Sequence, residues 1–272
     1  MTLLTRFRAQ TSQGAWHPSL DRQKVADRLM RLVDNPDLVN QGANGLCGEA
    51  AFFNVWLWGD PFAVARFGVQ LYNSGAASVG TNEGVIPSSA LRKQNFDKVV
   101  LQMPNFPQAA DWGAEWMMMS ALRDASNLFF SYEGTPSDTW GAGSSDGDMA
   151  RWLRATGLFR SVTVESGRGV EHDFGAASKL VPGNDTIILS IDSHMLGNAG
   201  HGKAEDDHDI VLKSAIIQPT PDTVDFRFWS WGEPVHWVND RRADPSLVQP
   251  PLGPLPKKQF TDEFFGYVLA KR

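Results

Sequence analysis

Apolar positions recur at helical spacing through the first half of the chain and at strand spacing through the second. From Leu20 onward, Val25, Leu29, Leu32 and Val33 share one helical face, with Asp21 as the capping residue and Asn35-Pro36 as the stop. The segment CGEAAFFNVWLW, from Cys47 to Trp58, is apolar nearly all round, which predicts a buried helix. Gly59-Asp60-Pro61 ends that helix and opens another to about Asn73, with Gly75 as its stop. A third helical run, over about 108–126, carries Trp112, Trp116 and the stripe Met117-Met118-Met119, which reads as adaptable core packing.

After the Gly- and Ser-rich stretch Glu133–Gly147 and a short helix around Met149–Thr156, the pattern changes. Strands are expected at Ser161–Glu165, Thr186–Asp192, His208–Gln218 and Val224–Trp231. The last two flank Pro219-Thr220-Pro221-Asp222, a turn in which proline presets φ and aspartate holds its own backbone. Residues 243–256 are Pro-rich, and the terminal FTDEFFGYVLAKR predicts a short helix or an edge strand. Residues 1–18 are polar and irregular and read as a lead-in or linker. Helices first and strands afterwards give an α+β layout: a helical lobe over about 19–157 and an antiparallel sheet lobe over about 158–272.

Composition narrows the function. The 272 residues are 42% hydrophobic, enough for an ordinary core rather than disorder. A net charge of −6 argues against binding to duplex nucleic acid, which needs a basic footprint. No run approaches the ~18–20 apolar residues of a membrane span. MTLLTRFRAQ has no apolar core of the Sec-signal type, so none is expected. The single cysteine, Cys47, excludes an intrachain disulfide.

That cysteine follows a Gly-containing loop and opens an apolar helix, where the positive end of the helix dipole favours a thiolate. Gln41 lies six residues upstream on the same loop. Its side-chain amide and the Cys47 backbone N–H are two donors of the kind that form an oxyanion hole. The alternative is a buried cysteine that only packs. Of the histidines 17, 172, 194, 201, 208 and 236, His208 has the context of a base. It begins a strand, which anchors the ring, just after the polar loop GNAGHGKAEDD, which leaves it reachable. His194, His201 and His208 recur every seven residues, but through a Gly-rich loop that matches no ligand spacing, so no metal is expected. Asp146-Gly147-Asp148 lacks the rest of a calcium loop, and Gly141–Ser145 lacks the lysine of a phosphate loop. No cofactor is expected.

Three segments, in order, resemble the papain-like cysteine peptidases. Q-G-A-N-G-L-C is similar to that family's Gln-Gly-x-x-Gly-x-Cys run, H-D-I-V-L to its His-initiated strand, and Ser230-Trp231-Gly232 to the tail of its Asn-Ser-Trp-Gly. The resemblance implies a papain-like α+β fold with the site in a cleft between the lobes. It implies Cys47 as nucleophile, His208 as general base and acid, and Gln41 as oxyanion donor. Trp229 stands where the family carries the Asn that orients the histidine, so the third member is Ser230, Asp225, Glu233 or a backbone carbonyl. Strand alternation puts Asp225, Trp229 and Trp231 on one face and Ser230 on the other. The run L-C-G-E-A-A-F-F is more similar to bacterial papain-fold toxin and effector domains than to secreted lysosomal-type enzymes. That likeness implies a protein substrate in a target cell's cytosol, type VI or contact-dependent delivery from the producer's cytoplasm without a Sec signal, a secretion-apparatus component as partner, and a cognate immunity protein. Peptide cleavage leads; deamidation of Gln or Asn and acyl transfer use the same groups. A decayed papain fold that only binds partners is the non-enzymatic rival.

Overall fold

The first helix lies where the hydropathy pattern gives none. The computed structural model describes residues 2–42, 44–103, 106, 109–127, 132–135, 145–166, 174–197, 204–230, 232, 235–240 and 252–272. Within the expected lead-in, Leu3–Arg8 form helix α1, with Thr2 capping it and Leu4 and Phe7 buried. The Phe7 ring meets Tyr72 edge-on at 5.3 Å. Trp16 is buried and donates its indole N–H to the Leu71 carbonyl at 2.9 Å, and the Ala15 amide donates to Tyr72 O at 2.9 Å. Residues 1–18 are therefore no linker. Their few apolar side chains are too sparse to show a period, yet Leu4, Phe7 and Trp16 are buried.

The chain divides into two compact units, Met1–Leu158 and Phe159–Arg272. The first is helical. Asp21 accepts from the Lys24 amide at 2.9 Å and starts α2 (Arg22–Asp34), which ends at Asn35. The all-apolar segment is α3 (Cys47–Gly59), whose buried residues include even Glu49 and Asn54. Asp60 caps α4 (Pro61–Ser74), with Pro61 in its first turn and Gly75 left-handed at its end. A hairpin of β1 (Ala77–Val79) and β2 (Glu83–Val85) follows, then α5 (Ser89–Arg92), α6 (Phe96–Leu101), α7 (Gly113–Ser126) and α8 (Asp146–Ala155). Ser145 and Asp148 form a capping box that begins α8.

Aromatic contacts bind these helices around α3. Phe52 lies 5.7 Å from Trp152 of α8, and Trp56 lies 5.5 Å from Phe67 of α4. Met117, Met118 and Met119 of α7 are fully buried core residues. Arg28 of α2 donates from Nε to Glu115 of α7 at 2.8 Å and from NH2 to the Leu38 carbonyl at 2.7 Å. Burial pushes the Glu115 carboxyl up from its ordinary range, while the Arg28 guanidinium pulls it back.

The second unit is built on antiparallel strands. Its elements are β3 (Ser161–Ser166), α9 (Phe174–Ala177), β4 (Thr186–Ile191), β5 (His208–Leu212), β6 (Ile217–Thr220), β7 (Thr223–Asp225), β8 (Arg227–Trp229), β9 (His236–Trp237), β10 (Leu255–Pro256), α10 (Lys257–Glu263) and β11 (Phe264–Lys271). Six strands run in the order β3-β11-β4-β5-β8-β9, and three more in the order β10-β7-β6. Leu189, Ile210, Phe226, Phe228 and Phe260 belong to the core beneath them. Two expectations change. The strands expected over His208–Gln218 and Val224–Trp231 each break in two, so that β5 pairs with β8 and β6 with β7 in different sheets. At the break the Lys213 amide donates to Arg227 O at 2.8 Å, and the Arg227 amide to Ser214 Oγ at 2.8 Å. The C-terminal segment is both helix and strand, and β11 is no edge: it pairs with β3 on one side and β4 on the other. Most of the Gly- and Ser-rich stretch and of the Pro-rich run lies outside the described residues. No helix among the described residues is long and apolar enough to cross a membrane.

Candidate active site

In the helical unit, Cys47 is the first residue of α3 and is partly buried. Leu46 stands at the cap position without a side-chain hydrogen bond to the helix. The start of a thirteen-residue helix is the positive end of its macrodipole, which stabilises negative charge placed there. The loop from Asn40 to Leu46 joins Gln41 to Cys47 and is held at several points. The Trp112 indole donates to the Asn40 carbonyl at 2.6 Å, and the Gly42 amide donates to Asn40 Oδ1 at 2.8 Å. Gly42 is left-handed at φ 67°, a conformation that costs glycine little. Nearer the helix, buried Asn44 donates from Nδ2 to the Gly134 carbonyl at 3.1 Å, and the Trp116 indole donates to the same carbonyl at 2.8 Å. The Leu46 amide closes back on Asn44 O at 2.7 Å. Gln41 is half-buried between Asn40 and Gly42.

In the sheet unit, His208 opens β5, opposite Ile191 of β4. It is buried at 4% exposure, and its Nε2 shares a 2.6 Å hydrogen bond with Oγ of Ser230, which is 1% exposed. Pairing of Val211 with Trp229 and Leu212 with Phe228 explains the meeting. Residues 208, 210 and 212 face one side of the sheet together with Phe228 and Ser230, while Trp229 faces the other. Burial pushes the His208 imidazole down to about 3, so it is neutral near pH 7.

Of the other candidates for the third position, Asp225 lies among the described residues. Asp225 lies on β7, in the other sheet, and its Oδ1 accepts from the Phe226 amide at 3.0 Å and the Asn239 amide at 3.4 Å. Glu233 and Trp231 lie outside the described residues. Ser230 Oγ reaches the imidazole.

Sequence reasoning missed how the chain leading into His208 is fastened. Asp207 accepts from both the amide and the hydroxyl of Ser193, at 2.6 and 2.8 Å. Asp192 accepts from the amides of His194 and Glu205, at 2.8 and 2.9 Å. The signal available was an aspartate directly after the Thr186–Ile191 strand and another directly before His208. His194 turns its Nδ1 to Glu263 at 2.6 Å, while His201 lies outside the described residues. Among the described residues no three His, Cys, Asp or Glu side chains gather to hold a metal. No protein-family model, curated protein or solved structure matches the chain.

Proposed function

We propose that this chain is a cysteine hydrolase of papain-like fold, with Cys47 as nucleophile, His208 as general base and acid, Gln41 as oxyanion donor and Ser230 as the residue that orients His208. The observation that carries the reading is the buried 2.6 Å bond between His208 Nε2 and Ser230 Oγ. It supplies, from the segment similar to the family's Ser-Trp-Gly, the fixed imidazole that such a mechanism needs. The place of Cys47 at the start of buried helix α3, with Gln41 on the loop before it, supports the same reading.

With Nε2–H donating to Ser230 Oγ, the lone pair lies on Nδ1. The Cys47 thiol gives its proton to Nδ1, and the sulfur attacks the substrate carbonyl carbon. The carbonyl oxygen takes the displaced electron pair and is held by the Gln41 side-chain N–H and the Cys47 backbone N–H. As the intermediate collapses, the C–N bond breaks and the leaving nitrogen takes the proton from His208. Water then gives a proton to His208 and attacks the thioester, the C–S bond breaks to release the acid, and the departing sulfur takes the proton back from His208. Burial disfavours the imidazolium form of His208, so each step of this cycle that protonates the ring needs a compensating negative charge beside it.

The substrate class is a protein, and peptide cleavage is the leading reaction. The likeness of L-C-G-E-A-A-F-F to papain-fold effector domains supports a toxin delivered into another cell and silenced in its producer by an immunity protein. The first test is the pH dependence of Cys47 alkylation by iodoacetamide. The wild type should react fast below pH 7, whereas His208→Ala should react only as pH approaches the ordinary thiol value of about 8.5. Superimposable profiles would remove His208 from the mechanism. Incubation with a bacterial lysate then separates the reactions. Peptide cleavage yields new N-termini, deamidation yields glutamine or asparagine converted to the acid, and Cys47→Ala should yield neither.

A further inference from the structure

We propose that Trp112 is a positioning residue for the oxyanion donor: its indole clamps the backbone on both sides of Gln41 and so sets where the Gln41 amide stands relative to Cys47. The inference rests on the reading of Cys47 and Gln41 given above and adds a residue to it. Before Gln41, the Trp112 N–H holds the Asn40 carbonyl at 2.6 Å. After it, Gly42 lies against the same indole so closely that a Cβ there would meet the six-membered ring at 2.9 Å. Asn40 Oδ1 ties the two sides together through the Gly42 amide at 2.8 Å.

Helix α7 carries this clamp and also the fastening at the cysteine end of the loop. Trp112 is the residue that caps α7, and Trp116 in the first turn shares the Gly134 carbonyl with Asn44. Between them Glu115 is ion-paired with Arg28, which also holds the Leu38 carbonyl just before the loop. One helix therefore fixes the loop entrance, the donor and the approach to the nucleophile. A donor that aligns with an oxyanion only within a fraction of an ångström needs such a frame, since about 1 Å of misplacement can cost ~10²-fold in rate.

The test compares two electrophiles that demand different things of Cys47. p-Nitrophenyl acetate acylates the sulfur through a tetrahedral oxyanion and releases nitrophenolate. Iodoacetamide is displaced at a saturated carbon, with loss of iodide and no oxyanion. Trp112→Phe keeps an aromatic ring and removes the N–H. It should acylate at least ~10-fold more slowly while alkylating within about twofold of wild type. Asn40→Ala should share the acylation defect, and Asn40→Ser, whose hydroxyl can still accept from the Gly42 amide, should recover most of the rate. Wild-type acylation by Trp112→Phe, or equal losses toward both electrophiles, overturns the proposal. If Trp112→Phe does not fold, equal acylation by Asn40→Ala and Asn40→Ser does so instead. Wild type acylating no faster than Cys47→Ala would be a different failure, that of Cys47 as the nucleophile.

Discussion

A hydrogen bond and burial each carry a consequence for His208. Ser230 is buried with it, so Ser230→Ala leaves an imidazole nitrogen in the interior without the hydroxyl it now meets. That omission should cost roughly 1–3 kcal/mol in urea unfolding and slow acylation of Cys47 by p-nitrophenyl acetate as the ring loses its orientation. A variant as stable as wild type would mean that the hydroxyl is no partner of the ring in solution. The second consequence concerns acid. Folding lowers the His208 value from the ordinary 6.5 to about 3, so below pH 6.5 the unfolded chain takes up a proton that the folded chain refuses. The sign is a loss of stability as pH falls from about 6.5 toward 3, worth several kcal/mol over the window. His208→Gln should show a flatter decline in that window, measured by denaturant midpoints at each pH. The start of α3 at Cys47 and of β5 at His208 was legible in the sequence because each is marked by its own neighbours. The place of Asp225 in a different sheet from the strand that leads into Ser230 was not, because it needs the break at Phe226, and strand alternation holds only while a strand stays straight.

Elements read well where a period and a cap coincide. Asp21, Asp60 and Gly75 mark the ends of α2 and α4 where the hydrophobic faces of those helices begin and stop. The bend between β5 and β6 left no comparable mark, since the apolar run continues through it and only the pairing partner changes. Helix α1 was invisible for a different reason: six residues with two buried side chains show no period, and tertiary packing alone makes it an element. Phe7 is therefore the informative position. Phe7→Ala removes a fully buried ring that meets Tyr72 and should lower stability by about 3–5 kcal/mol, seen as an earlier urea midpoint. An unchanged midpoint would restore residues 1–18 to the status of a linker. The hairpin of β1 and β2 offers a sharper contrast. At Gly80, φ is 57° and a Cβ would stand 1.8 Å from the Ala155 carbonyl of α8. Gly80→Ala should thus destabilise the helical unit, whereas Gly157→Ala, equally left-handed but with nothing near its Cβ, should carry only the conformational cost.

At the scale of the whole molecule, the α+β division was legible because the hydrophobic period changes once, and the units Met1–Leu158 and Phe159–Arg272 part beside that change. The proposed hydrolase activity would have a consequence for the cell that makes it. If its substrate is a common cytosolic protein, unrestrained activity should slow growth, and an immunity protein would have to cover Cys47 or His208 over an interface of roughly 1,600 Å². Inducible expression in a naive bacterial host measures this directly. Wild type should retard growth, Cys47→Ala should not, and co-expression of the reading frame adjacent to this gene should restore growth to the Cys47→Ala level. Equal growth of wild type and Cys47→Ala, with both proteins soluble at matched levels, would refute the toxin reading while leaving the hydrolase to be judged by Cys47 alkylation and acylation. Slow growth with both would point to a burden independent of the thiol, because the two chains differ by a single sulfur atom.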